Sequence, residues 1–193
     1  MSAGHASPSQ PAFWWLRHDW VTYKTPISKG KVIVPLDFLV PGYVPDISSL
    51  AYELVHSRRD RRKIGDFSSW DDAAFFVNRR AYQTFEDMFT RHGRTYQVRC
   101  SHETHFIVLI DTTHDAIDLA RSEYEVSDED KDRITRMRKI VLKEGFDTSD
   151  DIFRLDRSFA LQCQMIVSNR FKRRYEENGL TGLFFTAAIA QLH

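Results

Sequence analysis

The chain has 193 residues, 42% apolar and 28% charged, a composition that excludes a disordered chain and suits one domain burying roughly 70% of its unfolded surface. Its 27 basic and 27 acidic side chains cancel, which argues against a general nucleic-acid binder, since such proteins carry a basic excess. Two cysteines, Cys100 and Cys163, do not make a secreted disulfide framework, and no run reaches the ~20 apolar residues of a membrane span.

The first ten residues, MSAGHASPSQ, have neither the basic nor the apolar region of a signal peptide. Residues 1–12 are therefore expected to be a flexible tail and the protein to be cytoplasmic, with reduced thiols and no membrane partner. Residues 13–23, FWWLRHDWVTY, read as strand. Residues 31–42 carry apolar runs cut by Pro35 and Pro41, which suits an irregular edge strand or a covering arm. In residues 47–59, Ile47, Leu50, Ala51, Leu54 and Val55 fall at helical intervals, with Asp46 as N-cap.

Residues 73–100 read as strand, helix, glycine, strand. Residues 105–113 form another strand by their β-branched, continuously apolar character. Residues 126–142 open with Ser127 and Asp130 in a loose capping box, which predicts a helix, although the later RKIVLKE also suits a strand. Residues 150–156 suggest a short strand.

The segment 163–186 repeats the plan of 73–100. With a shift of ninety positions Val77 falls on Val167, Asn78 on Ser168, Arg80 on Arg170 and Glu86 on Glu176. Each copy runs apolar strand, capping residue, basic first turn, acidic last turn, glycine, strand. Asn78 and Ser168 are good N-caps, and Gly93 and Gly179 suit the left-handed position after a helix. The expected fold is a single α+β domain over residues 13–193 with two similar strand–helix–strand units. Val77, Phe85, Val108, Ile110, Ile166, Val167 and Phe184 are its expected core. Neither copy has glycines where strand turns into helix, so neither is a phosphate loop.

Three constellations bear on chemistry. Cys100, His102 and His105 invite a zinc ion, but on one continuous strand Cys100 and His102 share a face and His105 takes the other. Asp115, Asp118, Glu123 and Glu125 supply paired carboxylates without a local sign of the pocket that acid–base work needs. Five of the six residues at 58–63 are basic: Arg58, Arg59, Arg61, Arg62 and Lys63. That patch suits an acidic protein surface and lacks the interleaved aromatics of a nucleic-acid site. Trp14 and Trp15 are interface anchors if exposed and core if buried.

The residues Ser168, Phe171, Gly179, Leu180, Thr181, Gly182 and Phe185 together resemble the C-terminal signature of immunity-protein family eleven of bacterial polymorphic toxin systems. Asp118, Arg121 and Ser122 are similar to its middle segment, and DIFRLDR to the stretch before its last strand. VNRRAYQTFE takes the place of its first strand–helix unit, with Asn78 for the usual serine. The resemblance spans about residues 40–186, and its motifs leave the aromatic N-terminus and the basic segment outside.

It implies a non-catalytic protein that binds and occludes a cognate toxin, with no catalytic residue, cofactor or metal to carry over. Arg58, Arg59, Arg61 and Arg62, with Trp14 and Trp15, are the expected partner-binding residues. The alternatives are a metal-dependent hydrolase using His102 and His105 and a nucleic-acid module using residues 58–63. Oligomeric state is left open.

Overall fold

A computed structural model describes residues 12–19, 21–24, 26–29, 51–54, 63–71, 74–100, 102–131, 134–155 and 164–188. Its elements in chain order are β1 (Phe13–His18), β2 (Pro26–Lys29), β3 (Ala51–Leu54), β4 (Phe67–Asp71), β5 (Ala74–Asn78), α1 (Arg79–His92), β6 (Gly93–Cys100) and β7 (Glu103–Ile110). Then come β8 (Thr113–His114), β9 (Glu123–Val126), β10 (Ile134–Lys139), β11 (Ile152–Leu155), β12 (Met165–Ser168), α2 (Asn169–Glu177) and β13 (Leu183–Ala188). The described residues form a mixed α+β fold with two helices and three sheets. One sheet has the order β2-β3-β6-β7-β5-β4, a second β13-β1-β12-β11-β8, and β9 and β10 make a two-stranded ribbon.

The continuous apolar strands are buried on both faces. Phe75 and Val77 on β5, with Val108 and Ile110 on β7, turn toward the helices. Ala74, Phe76, Ile107 and Leu109 alternate onto the opposite face beside Val98 and Cys100. The second sheet divides likewise. Leu16, Met165 and Val167 join the helix-side core, while Phe13, Trp15, Phe153 and Ile166 pack against Ile117, Ile134 and Met137. The helix-side core is largely aromatic. Phe67 meets Phe75, Phe85, Phe171 and Tyr175 at ring-centroid distances of 5.5 to 6.5 Å, and edge and offset contacts of this kind add to the area each ring buries.

The caps follow the sequence. The Asn78 side chain accepts from the Ala81 amide and the Ser168 side chain from the Phe171 amide, each satisfying a free donor of the first turn. Gly179 takes the left-handed conformation, with φ of 57°. Gly93 does not: its backbone is extended, and glycine is required because an added Cβ would stand 1.9 Å from the Leu109 carbonyl oxygen. The helix passes directly into β6, and β7 runs close alongside.

Three other expectations are corrected. Residues 51–54 form strand β3, antiparallel to β2 and parallel to β6, in place of a helix; the rest of 47–59 lies outside the described residues. No described residue of 126–142 is helical: Val126 ends β9, residues 127–131 turn, and Ile134–Lys139 form β10 against β9. Two register shifts in β10 set buried Ile134 and Met137 three residues apart, so a bulged strand imitates helical spacing. The Ser127 hydroxyl still accepts from the amides of Glu129 and Asp130, but it caps a turn. Phe184 is 53% exposed, because β13 is an edge strand whose inward positions belong to Leu183 and Phe185. Val77, Phe85, Val108, Ile110, Ile166 and Val167 are all buried.

Candidate partner-binding surface

The basic first turns of both helices are tied to buried carboxylates. Asp66, just ahead of β4, accepts from the Asn78 side-chain amide at 3.0 Å and pairs with Arg80 at 3.3 Å. The same carboxylate accepts the Thr181 amide and hydroxyl at 3.0 and 2.9 Å, and the Asp66 carbonyl accepts the Asn78 amide. Asp151, just ahead of β11, accepts from the Ser168 hydroxyl at 2.8 Å and from Arg170 Nε at 2.7 Å, and its carbonyl accepts the Ser168 amide. Burial acts to raise the Asp151 pKa, but the bonds from Arg170 and Ser168 outweigh it and hold the carboxyl below its ordinary range. The pairing raises the Arg170 guanidinium in turn.

A cation in a first helical turn opposes the helix dipole. Here a buried anion behind the turn reverses the local balance. Arg80 also donates to the Asn178 carbonyl, and Arg174 to the Thr84 carbonyl at 3.3 Å and to Asp87 at 2.5 Å. Arg80 thus ties the start of α1 to the end of α2, and Arg174 ties α2 to the middle of α1. Arg79 and Arg173 remain exposed on the surface, and a shallow cleft of about 330 Å³ opens beside Arg79 between Asn78, Arg80, Glu103 and Thr104.

Sequence reasoning missed Asp66 and Asp151. They stand 12 and 17 residues before their capping partners, with no fixed spacing to mark them.

The expected partner-binding residues fall in different places. Arg58, Arg59, Arg61 and Arg62 lie outside the described residues. Lys63 is exposed, with its amide bonded to the Thr22 carbonyl and its own carbonyl to the Lys24 amide, both at 2.9 Å. Trp14 is half-buried, its indole N–H bonded to Asn169 at 2.6 Å and its ring 4.6 Å from the Lys172 ammonium. Trp15 is not an exposed anchor. It is 6% exposed, bonds Gln164 at 3.0 Å, and packs in the core because β1 is an inner strand with β12 and β13 on its flanks.

Cys100, His102 and His105 do not lie on one continuous strand. The turn between β6 and β7 holds His102 in the left-handed region, φ 79°, and exposes it. The reversal brings Cys100 and His105 onto one face, which corrects the expectation that they oppose each other. His105 stacks on Phe76 with centroids 5.2 Å apart, and burial lowers its pKa. Among the described residues no group of three His, Cys, Asp or Glu side chains is placed to hold a metal ion. The acidic residues near 120 are ion-paired: Asp115 with Lys143, Glu123 with Lys139, and Glu125 with Arg138. Ser122 ties its turn together through the Asp118 carbonyl and the Val141 amide.

The described residues thus form a mixed-sheet frame in which Arg80 and Arg170 are paired with the buried Asp66 and Asp151, and in which Val21 and Ile64 stand exposed near Lys63. The chain belongs to the immunity protein family (Imm11), which it matches over residues 7–190. That match takes in the aromatic N-terminus and the basic segment, which correspond to family positions rather than lying outside them. No curated protein matches the chain. Its role is that of a non-catalytic immunity protein, whose partner is a cognate toxin. Among the described residues no helix is long and apolar enough to cross a membrane.

Proposed function

We propose that the protein acts in the cytoplasm by covering a surface of its toxin, as a single domain over residues 13–193 behind a tail at 1–12. The family match over 7–190 carries this reading. Arg58, Arg59, Arg61 and Arg62 are proposed to contact an acidic patch of the toxin, with half-buried Trp14 as an accessory anchor, since arginine clusters bind carboxylates bidentately and steer encounter. Support comes from the point where the basic segment meets the frame. Lys63 is fixed by backbone bonds to Thr22 and Lys24, and Val21 and Ile64 are 66% and 52% exposed beside it.

The test uses the cognate toxin. Changing all four arginines to Ala is expected to leave the circular dichroism and unfolding midpoint unchanged. Toxin affinity at low salt should fall by about tenfold or more, as for the loss of an interface hot spot, and co-expressing cells should lose protection. Unchanged affinity and protection would remove these residues from the interface.

We also propose that the fold contains two similar strand–helix–strand units. Both sheets support this. The run β4-β5-β7-β6 has α1 between β5 and β6, and the run β11-β12-β1-β13 has α2 between β12 and β13, with all neighbours antiparallel. Phe67 pairs with Val77 as Ile152 pairs with Val167, and Asp66–Asn78–Arg80 has its counterpart in Asp151–Ser168–Arg170. The N-terminal strand β1 holds the position in the second unit that β7 holds in the first. An experimental structure in which these elements did not superpose would end the proposal.

A further inference from the structure

A sheet edge offers unpaired backbone groups to any passing strand, and natural proteins guard their edges with charge, proline, bulges or shortness. Here β2 begins at Pro26 and ends at Lys29, β4 is bulged before Asp71, and β8 has two residues. The β9–β10 ribbon carries Glu123, Glu125, Arg136, Arg138 and Lys139 and two register shifts. The edge strand β13, LFFTAA, has none of these guards: no charge, no proline and an unbroken register against β1.

The Asp19 amide donates to the Gly182 carbonyl, so Gly182, Phe184 and Thr186 turn their backbone groups toward β1. The Leu183 amide accordingly points outward, to the Tyr175 hydroxyl at 3.1 Å. Phe185 and Ala187 therefore direct their N–H and C=O groups away from the sheet, where no described backbone group meets them.

We propose that this edge pairs antiparallel with β13 of a second copy of the chain, centred on Thr186. The order of side chains selects that occupant. Centring on Thr186 sets Phe185 opposite Ala187 of the partner and Phe184 opposite Ala188, so each large ring meets a small residue. The two threonines face one another on the axis in a favourable cross-strand pair. Phe185 and Ala187 then exchange both of their backbone bonds with the partner, four bonds in all, as antiparallel geometry requires. No like charges meet, and the contact is isologous and closes at two copies. Phe184, 53% exposed in the single chain, gains cover.

Sedimentation of the full chain at concentrations up to hundreds of micromolar is expected to show reversible doubling of mass. Ala187→Pro deletes an outward amide without touching the β1 pairing and should leave a folded monomer. Thr186→Lys and Thr186→Glu should each be monomeric, and their mixture should recover the dimer. A wild-type chain monomeric throughout, with fast amide exchange at Phe185 and Ala187, would overturn the proposal. So would a monomer whose two amides become protected only on addition of the toxin, since the edge would then be a toxin site.

Discussion

Phe85 of α1 and Phe171 of α2 stack with centroids 4.2 Å apart and planes 21° from parallel. Both rings are fully buried, and Phe171 also lies 6.3 Å from Phe75 on the first sheet and 6.4 Å from Phe185 on the second. The pair therefore joins the two sheets through their helices. Phe171→Ala is expected to cost about 3–5 kcal/mol, the range for emptying a buried aromatic site, and to lower the denaturant midpoint in one cooperative transition. A change under about 1 kcal/mol, the scale of a surface substitution, would mean that the helices are not coupled through this contact.

Arg170 holds a carboxylate that water barely reaches: the Asp151 side chain is 2% exposed and that of Arg170 52%. Removing the cation strands the anion with the Ser168 hydroxyl and neighbouring dipoles. Arg170→Ala is expected to cost about 2 kcal/mol, less than a fully buried pair because half of the guanidinium is in solvent. Asp151 gains stability from a depressed pKa, present above its unfolded value and lost as pH falls through the folded one. The variant should lose that acid-side sensitivity, read from urea unfolding below pH 5 (about one unit above the ordinary carboxylate pKa). Retention of the wild-type acid profile would show that Arg170 does not set the Asp151 titration.

His18 lies on β1 with its ring edge toward Phe75, 6.1 Å between centroids. Burial pushes its pKa from 6.5 down to about 4, the Ala74 backbone offsetting only part, and neither ring nitrogen makes a full hydrogen bond. Between those values the unfolded chain takes up the proton and the folded chain resists it. Stability is complete above about pH 6.5 and is lost as pH falls toward 4, by up to ~3 kcal/mol from this group. Burial lowers His92 and His105 in the same direction. Unfolding free energies at pH 7 and pH 5 should differ by ~2 kcal/mol more in the wild type than in His18→Leu. Equal pH dependence in both would place the loss elsewhere.

The sequence by itself determined the features whose causes are local. Asn78 and Ser168 cap helices because a short acceptor reaches the free amides of the turn it precedes. The apolar runs within 73–78 and 105–113 read as strand, and β5 and β7 occupy them. Gly179 ends α2 in the left-handed conformation that its lack of a Cβ permits. The tertiary structure decided what depends on distant neighbours. Residues 51–54 are strand because β2 and β6 supply backbone partners, overriding a helical spacing. Trp15 is core because β1 slots between β12 and β13, from the far end of the chain. Arg80 and Arg170 belong to the frame because Asp66 and Asp151 are buried behind them. A buried carboxylate requires a partner, and only the folded chain determines which cation supplies it.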